Sequence, residues 1–122
     1  MAQKKCVPCE GGVPPLKRED AEILREQTRA WTIDAAAKEL FRTFQFGNFV
    51  TAVAFINAIA RLAESEGHHP DLNLHSYKHV TVTLSTHAIG GLSENDFILA
   101  AKIDELPEGK KASATELYST VV

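Results

Sequence analysis

The stretch His79-Val-Thr-Val-Thr-Leu-Ser85 alternates polar and apolar residues without a break. Successive side chains of a β-strand point to opposite faces of the sheet, so the alternation predicts a strand with one buried and one polar face. The preceding stretch, 72–77, is long enough to be its partner in a hairpin. Because only one face of such a pair is apolar, we expect helices to cover that face alone.

The segments that flank the hairpin predict helices. Upstream, residues 49–66 repeat apolar side chains at helical spacing, with Asn48 as N-cap and Gly67 as the residue that ends the helix. Their apolar stripe is wider than an ordinary amphipathic face, which predicts burial against the sheet on one side and against a second subunit on the other. Downstream, Gly90-Gly91 forms a loop, and the stretch Ser93-Glu-Asn-Asp96 is typical of a capped helix start.

The N-terminal part of the chain predicts a further helix and two strands. The charged stretch 16–31 has Leu16, Ile23 and Leu24 near one face, which indicates a surface helix whose exit is anchored by Trp31. Residues 31–46 are rich in aromatic residues and have only a weak helical period, which indicates two short strands joined by a turn.

These elements together predict an α+β fold. Their order is helix, strand, strand, helix, strand, strand, helix, which favours a two-layer sandwich with a four-stranded antiparallel sheet and three helices on one face. We expect residues 16–108 to form this domain, with a flexible leader over 1–15 and a loosely ordered tail over 109–122.

The composition excludes several classes of function. The chain has 122 residues, a net charge of -3 and a sequence pI near 5.9, which predicts no basic surface for nucleic acid. The longest apolar run, 49–63, is interrupted by polar residues and is shorter than the ~20 residues that span a bilayer. No apolar segment of signal-peptide length follows the basic residues near the N-terminus. We therefore expect a cytoplasmic protein that binds neither nucleic acid nor membranes.

Cys6 and Cys9 form a CxxC pair in a leader rich in glycine and proline. The spacing suits half of a zinc site or a redox pair, but a structural zinc needs four ligands and the chain has no second CxxC. Thioredoxin-like chemistry would need a strand before the pair and a helix after it. A leader with two free thiols is the interpretation we favour.

All five histidines lie between residues 68 and 87. His68 and His69 follow a predicted helix and His87 follows a predicted strand, so these three side chains can converge on one pocket. Imidazole gives and takes protons near neutral pH, which suits acid-base catalysis. A metal site is the alternative, but adjacent histidines with a third one far along the chain make a weak zinc signature. His75 and His79 lie inside the hairpin, where we expect surface side chains.

The spacing of these residues resembles a family signature. The pattern is Glu64, three residues, His68-His69-Pro70, six residues, Tyr77, nine residues, His87, eight residues and Asp96. It is similar to the signature of the pterin-4a-carbinolamine dehydratases, and the resemblance extends from the Cys-Val-Pro-Cys leader to the Gly-Leu-Ser after His87. It implies the fold described above, a homodimer or homotetramer, and no metal or organic cofactor. The implied reaction is dehydration of 4a-hydroxytetrahydropterin to quinonoid dihydropterin, in tetrahydrobiopterin recycling.

The same resemblance implies roles for the histidines. His68, His69 and His87 would form the active site, with His68 and His87 exchanging protons and His69 orienting the pterin. Glu64 lies four residues before His68, so we expect its carboxylate to fix that ring and raise the pKa of the imidazole.

The remaining signature residues would support the site. Asp96 either orients His87 or accepts a backbone N–H as the third residue of the last helix. Pro70 and Tyr77 would shape the wall of the pterin pocket. In the animal members an aromatic residue occupies the place of Leu72. The family has two spacings between the His-His-Pro stretch and the tyrosine, and this chain has the longer one. We therefore expect the rim of the pterin pocket to differ from that of the animal members.

Two other functions compete with this interpretation. Animal relatives also act as a dimerisation cofactor of a homeodomain transcription factor through an exposed helix, and the apolar stripe over 49–63 suits such a protein-binding module. A metal protein that uses the histidines, with Cys6 and Cys9, is the other alternative.

Overall fold

The computed structural model describes residues 1–7 and 13–112. The described helices are α1 (Arg18–Arg25), α2 (Phe49–Glu66) and α3 (Glu94–Asp104), with short 3₁₀ helices at His87–Ile89 and Gly109–Lys111. The described strands are β1 (Thr32–Ile33), β2 (Leu40–Gln45), β3 (Asp71–His75) and β4 (His79–Leu84). The strands form one antiparallel sheet in the order β1-β2-β4-β3. The predicted α+β class and order of elements are confirmed.

Strand β4 lies at the centre of the sheet and has the predicted two faces. Val80, Val82 and Leu84 are fully buried, whereas His79 and the threonines between them are partly exposed. Because β4 pairs with β2 on one side and β3 on the other, its backbone groups are hydrogen-bonded along both edges. The residues that follow β4 are therefore held at a defined edge of the sheet.

Helix α2 begins and ends where the sequence predicts. The side chain of Asn48 accepts a hydrogen bond from the Thr51 N–H at 2.9 Å. At the other end Gly67 has a φ of 67°, a left-handed conformation that glycine adopts at little cost. The chain therefore leaves the helix sharply, immediately before His68.

The core lies between the sheet and the helices. Phe55 on the inner face of α2 contacts Phe44 and Phe46, with ring centroids 4.6 and 5.2 Å apart. Trp31 is buried, as predicted, and its indole N–H lies 3.0 Å from both carboxylate oxygens of Asp104 at the end of α3. The Arg42 guanidinium donates to the same carboxylate at 2.8 Å. This cluster joins the end of α3 to the sheet.

Helix α1 is shorter than predicted, and Leu16 and Leu24 pack against the core as predicted, whereas Ile23 does not. It ends at Arg25, and hydrogen bonds between residues three apart carry the chain from there through Thr28 to Trp31. The side chain of Ile23, predicted to face inward, is 67% exposed. Ala21 is the buried residue of α1, so the inward stripe of an eight-residue helix is narrower than the sequence pattern indicated.

Residues 1–7 pack against the domain, which the sequence analysis did not anticipate for a predicted leader. Cys6 is buried, and its backbone N–H donates to the Glu66 carboxylate at 2.9 Å. Cys9 and most of the predicted tail lie outside the described residues. The predicted boundaries at 15 and 109 stay predictions.

Two glycines allow close contacts between distant segments. A Cβ atom on Gly91 would lie 2.7 Å from the Cβ of Pro15, and one on Gly109 would lie 2.8 Å from the Phe55 ring. The Leu16 N–H donates to the Leu92 carbonyl at 2.8 Å beside the first contact. The segment before α1 is thus docked on the loop after β4.

Among the helices described, none is long and apolar enough to cross a membrane.

Candidate active site

A cleft of about 230 Å³ opens where the end of α2 approaches the end of β4. The predicted trio His68, His69 and His87 all line it. The other lining residues are Val7, Gly67, Ser85, Thr86, Ala88 and Asn95. The geometry brings together three imidazoles from the two element ends that the sequence analysis singled out.

His68 is fixed by a buried carboxylate. Its Nε2 lies 2.7 Å from Oδ1 of Asp96, whose side chain is 0% exposed. When Asp96 is ionised its carboxylate only accepts hydrogen bonds, so Nε2 of His68 is then the donor and Nδ1 is the ring nitrogen without the hydrogen. The predicted partner of His68 was Glu64, and that prediction is wrong.

Asp96 is held by two further groups through its second oxygen. Its Oδ2 accepts hydrogen bonds from the Thr86 hydroxyl at 2.8 Å and from the Ser93 N–H at 2.9 Å. The bond from Ser93 is the helix-start contact that the sequence predicted for Asp96. The alternative was that Asp96 orients His87. The described contacts of this carboxylate include His68 and not His87, so that alternative is wrong.

Glu64 contacts the neighbouring imidazole. Its Oε2 lies 2.5 Å from Nε2 of His69, and both side chains are largely exposed. A pair in water is weaker than a buried pair, so Glu64 orients His69 less firmly than Asp96 orients His68.

His87 and the two predicted pocket residues occupy different places. His87 is exposed and begins the short 3₁₀ helix after β4, at the edge of the cleft. Pro70 directly precedes β3, and Tyr77 lies in the hairpin turn at the opposite end of β4, 58% exposed. Neither of the last two is among the described residues that line the cleft.

The other two histidines lie on the polar face of the sheet. The rings of His75 and His79 are stacked across β3 and β4 with centroids 5.2 Å apart. His75 is exposed, as expected, and His79 is half-buried. Within residues 1–7 and 13–112, no three His, Cys, Asp or Glu side chains are arranged to hold a metal ion.

The contact between Cys6 and Glu66 shifts the pKa values of both groups. The Cys6 N–H, with Lys102 and Lys5, lowers the pKa of Glu66. Burial, with the Glu66 charge, raises the pKa of the Cys6 thiol to about 12. Cys6 is therefore a neutral thiol at physiological pH and a poor nucleophile or metal ligand.

None of the other six residues that line the cleft was predicted as a site residue, and three of them help to shape it. Thr86 and Asn95 are buried polar residues, and Val7 comes from the segment treated as a leader. Thr86 lies between Ser85 and His87, so its place beside a candidate histidine was the available signal. Nothing in the local pattern indicated Val7 or Asn95.

Comparison with known proteins identifies the family. The family model described as pterin 4 alpha carbinolamine dehydratase matches residues 14–106. The chain belongs to the pterin-4-alpha-carbinolamine dehydratase family. A relative from Halorhodospira halophila is 47% identical over 106 residues, covering 87% of this chain and 96% of its own. One from Nitrosomonas eutropha is 50% identical over 107 residues, covering 87% and 92%. Both carry the name "Putative pterin-4-alpha-carbinolamine dehydratase".

Two solved structures are similar in fold to this chain. A transcriptional coactivator/pterin dehydratase from Brucella melitensis has a TM-score of 0.68 and 30% identity, covering 74% of this chain and 95% of its own. A pterin dehydratase-like protein identified as a RuBisCO assembly factor in the alpha-carboxysome has a TM-score of 0.53 and 29% identity, covering 64% and 89%.

Proposed function

We propose that this protein is a lyase that dehydrates 4a-hydroxytetrahydropterin to quinonoid dihydropterin. The observation that carries the proposal is one cleft lined by His68, His69 and His87, with His68 held by the buried carboxylate of Asp96. Family membership supports the same reaction class.

The reaction needs an acid and a base beside one ring. The C4a–O bond breaks and the leaving hydroxide takes a proton, while the N5–H bond gives up its proton and its electrons form the C4a=N5 double bond. Water and the quinonoid dihydropterin are the products, so electrons balance without an oxidant or a cofactor. Imidazoles can supply both proton transfers near neutral pH.

The contacts of the histidines favour a division of roles. Asp96 holds Nε2 of His68, so Nδ1 is the nitrogen available for a proton transfer. His87 comes from the other wall of the cleft and would serve as the second proton-transfer group. His69, with its exposed partner Glu64, would orient the pterin.

The wider setting belongs to the same proposal. We place the reaction in tetrahydrobiopterin recycling in the cytoplasm, and expect a homodimer or homotetramer. Phe49 and Val50 on α2 are exposed apolar side chains, which a second copy of the chain would cover.

The test is stopped-flow dehydration of chemically generated 4a-hydroxytetrahydropterin. His68→Ala and His87→Ala should each lower kcat by about 100-fold or more, because each removes one proton-transfer group. His75→Ala is the matched control and should retain wild-type turnover, since its ring lies on the polar face of the sheet. Unchanged turnover in both cleft variants would overturn the assignment.

A protein-binding module is the second candidate. Phe49, Val50, Val53 and Ala54 line an apolar groove on α2, and the Brucella protein is described as a transcriptional coactivator as well as a pterin dehydratase. An oligomer that stays intact in light scattering, from a protein without dehydratase activity, would favour this candidate. Loss of assembly in Val50→Asp with retained turnover would show that the groove serves assembly and not the reaction.

A further inference from the structure

We propose that Val7 is a wall of the pterin-binding cleft and that Asn95 is the residue that positions it. The inference rests on the proposed function, since the ligand is the same reduced pterin. Residues 1–7 lie outside the 14–106 segment that the family model matches.

Val7 stands at the cleft as an exposed apolar side chain. It lines the same cavity as the three histidines and is 65% exposed. Exposed apolar surface beside a polar cleft is covered when a planar ring binds, and that burial contributes to affinity. A valine has no group that transfers protons, so its contribution should be to substrate binding alone.

Asn95 holds the backbone of Val7 from both sides. Its Oδ1 accepts from the Val7 N–H at 3.0 Å, and its Nδ2 donates to the Val7 carbonyl at 2.5 Å. Asn95 itself is 4% exposed, so breaking this pair would leave buried polar groups unsatisfied. Asn95 and Asp96 are consecutive residues of α3, and they hold two residues that line the cleft, Val7 and His68.

Further contacts fix the segment that precedes Val7. The Cys6 N–H donates to the Glu66 carboxylate at 2.9 Å, one residue before the turn at Gly67. Lys102 donates to the Ala2 carbonyl at 2.8 Å, and Lys4 pairs with Glu94 at 2.8 Å. These contacts join residues 1–7 to the end of α2, to the first turn of α3 at Glu94 and to its last turn at Lys102. The position of Val7 is therefore set by the fold.

The first experiment separates binding from turnover. In stopped-flow dehydration, Val7→Gly should raise KM about fivefold while kcat stays within twofold of wild type, because apolar contact is lost and the proton-transfer groups remain. Val13→Gly is the matched control, an exposed valine that does not line the cleft, and should match wild type. An unchanged KM in Val7→Gly, or a loss confined to kcat, overturns the proposal.

The second experiment tests the role of Asn95. Asn95→Leu keeps the size of the side chain but cannot pair with the Val7 backbone, so KM should rise at least as much as in Val7→Gly. In a Cys9→Ser background the Cys6 thiol should then react at least about tenfold faster with a disulfide reagent, since the docked segment is released. Asn95→Gln should recover part of the wild-type KM. Unaltered KM and thiol reactivity in Asn95→Leu would contradict the positioning role.

The two proposals fail in different ways. A wild-type protein that does not dehydrate the carbinolamine overturns the proposed function, and Val7 is then tested with 7,8-dihydropterin by fluorescence titration. Equal affinity of wild type and Val7→Gly for that probe, or no binding by either, overturns the inference about Val7.

Discussion

The two ends of helix α3 each carry an aspartate with a different set of partners. Asp96, at the first turn, is buried and contacts the imidazole of His68 in the cleft. Asp104, at the last turn, is partly buried and accepts hydrogen bonds from Trp31 and Arg42 in the core. The group beside Asp96 is an imidazole, a side-chain type that can both give and take protons, whereas an indole and a guanidinium only donate hydrogen bonds. In the proposed reaction Asp96 therefore bears on chemistry, whereas Asp104 bears on folding.

The largest expected effect separates the two carboxylates by activity. Asp96→Asn should lower kcat by about 100-fold, because a neutral amide cannot hold His68 in a single tautomer. Stopped-flow dehydration measures it, with Asp104→Asn as the matched control at the other end of α3. Equal activity losses in the two variants would break the comparison.

The second effect separates them by stability. Asp104→Ala should lower the free energy of unfolding by about 2 kcal/mol, because the donors on Trp31 and Arg42 lose a shared, partly buried acceptor. Urea unfolding followed by Trp31 fluorescence measures it. Glu105→Ala changes the exposed neighbour and should leave the unfolding curve within about 0.5 kcal/mol of wild type. A similar loss in both variants would contradict a specific role for Asp104.

A smaller effect on stability tests the hydrogen bond between Trp31 and Asp104 at the last turn of α3. Trp31→Phe removes the indole N–H and should cost about 1 kcal/mol for the hydrogen bond, in addition to any change in packing. Because that N–H lowers the pKa of Asp104, the variant should also raise that pKa further. Unfolding measured across a pH series detects both changes, and a pH profile identical to wild type would argue against the hydrogen bond.

The smallest effect is the pH dependence of stability. Burial raises the pKa of Asp104, so the folded state binds a proton on this carboxyl more tightly than the unfolded state does. The stability that this protonation contributes is lost as the pH rises from the ordinary Asp range to the raised pKa. The Cys6 N–H lowers the pKa of Glu66, whose contribution is instead lost as pH falls below the ordinary Glu range.

Paired substitutions reveal these opposite slopes. Asp104→Asn should flatten the decline of stability with rising pH, and Glu66→Gln should flatten the decline on acidification. The measurement is urea unfolding between about pH 3 and 7, the range around ordinary carboxyl pKa values. If both substitutions changed the slope of stability against pH in the same direction, the opposite pKa shifts of Asp104 and Glu66 would be contradicted.

Much of the fold could be predicted because its signals are local. The alternation over 79–85 and the caps Asn48 and Gly67 each act within a few residues of the element they define. The length of α1 was overestimated. A charged, periodic stretch does not show where hydrogen bonds between residues three apart replace the α-helical bonds between residues four apart, as they do after Arg25.

The partners in the site could not be predicted from spacing. Glu64 and His68 are four residues apart, which places side chains together only inside a helix. Gly67 turns the chain into the left-handed conformation before His68, so Glu64 contacts His69 instead. The contact of His68 with Asp96 joins residues 28 positions apart and depends on the packing of α3 against α2. Such tertiary contacts leave no periodic signal.

The contact of Pro15 with Gly91 has a consequence for tolerance to mutation. In a saturation library, position 91 should reject even alanine, since a Cβ there would lie 2.7 Å from Pro15. Position 47 should accept many residues, because a Cβ there meets nothing within 4 Å. Pro15 thus restricts position 91 to glycine. A library that varies positions 15 and 91 together should recover combinations of residues that are not tolerated when either position is varied alone.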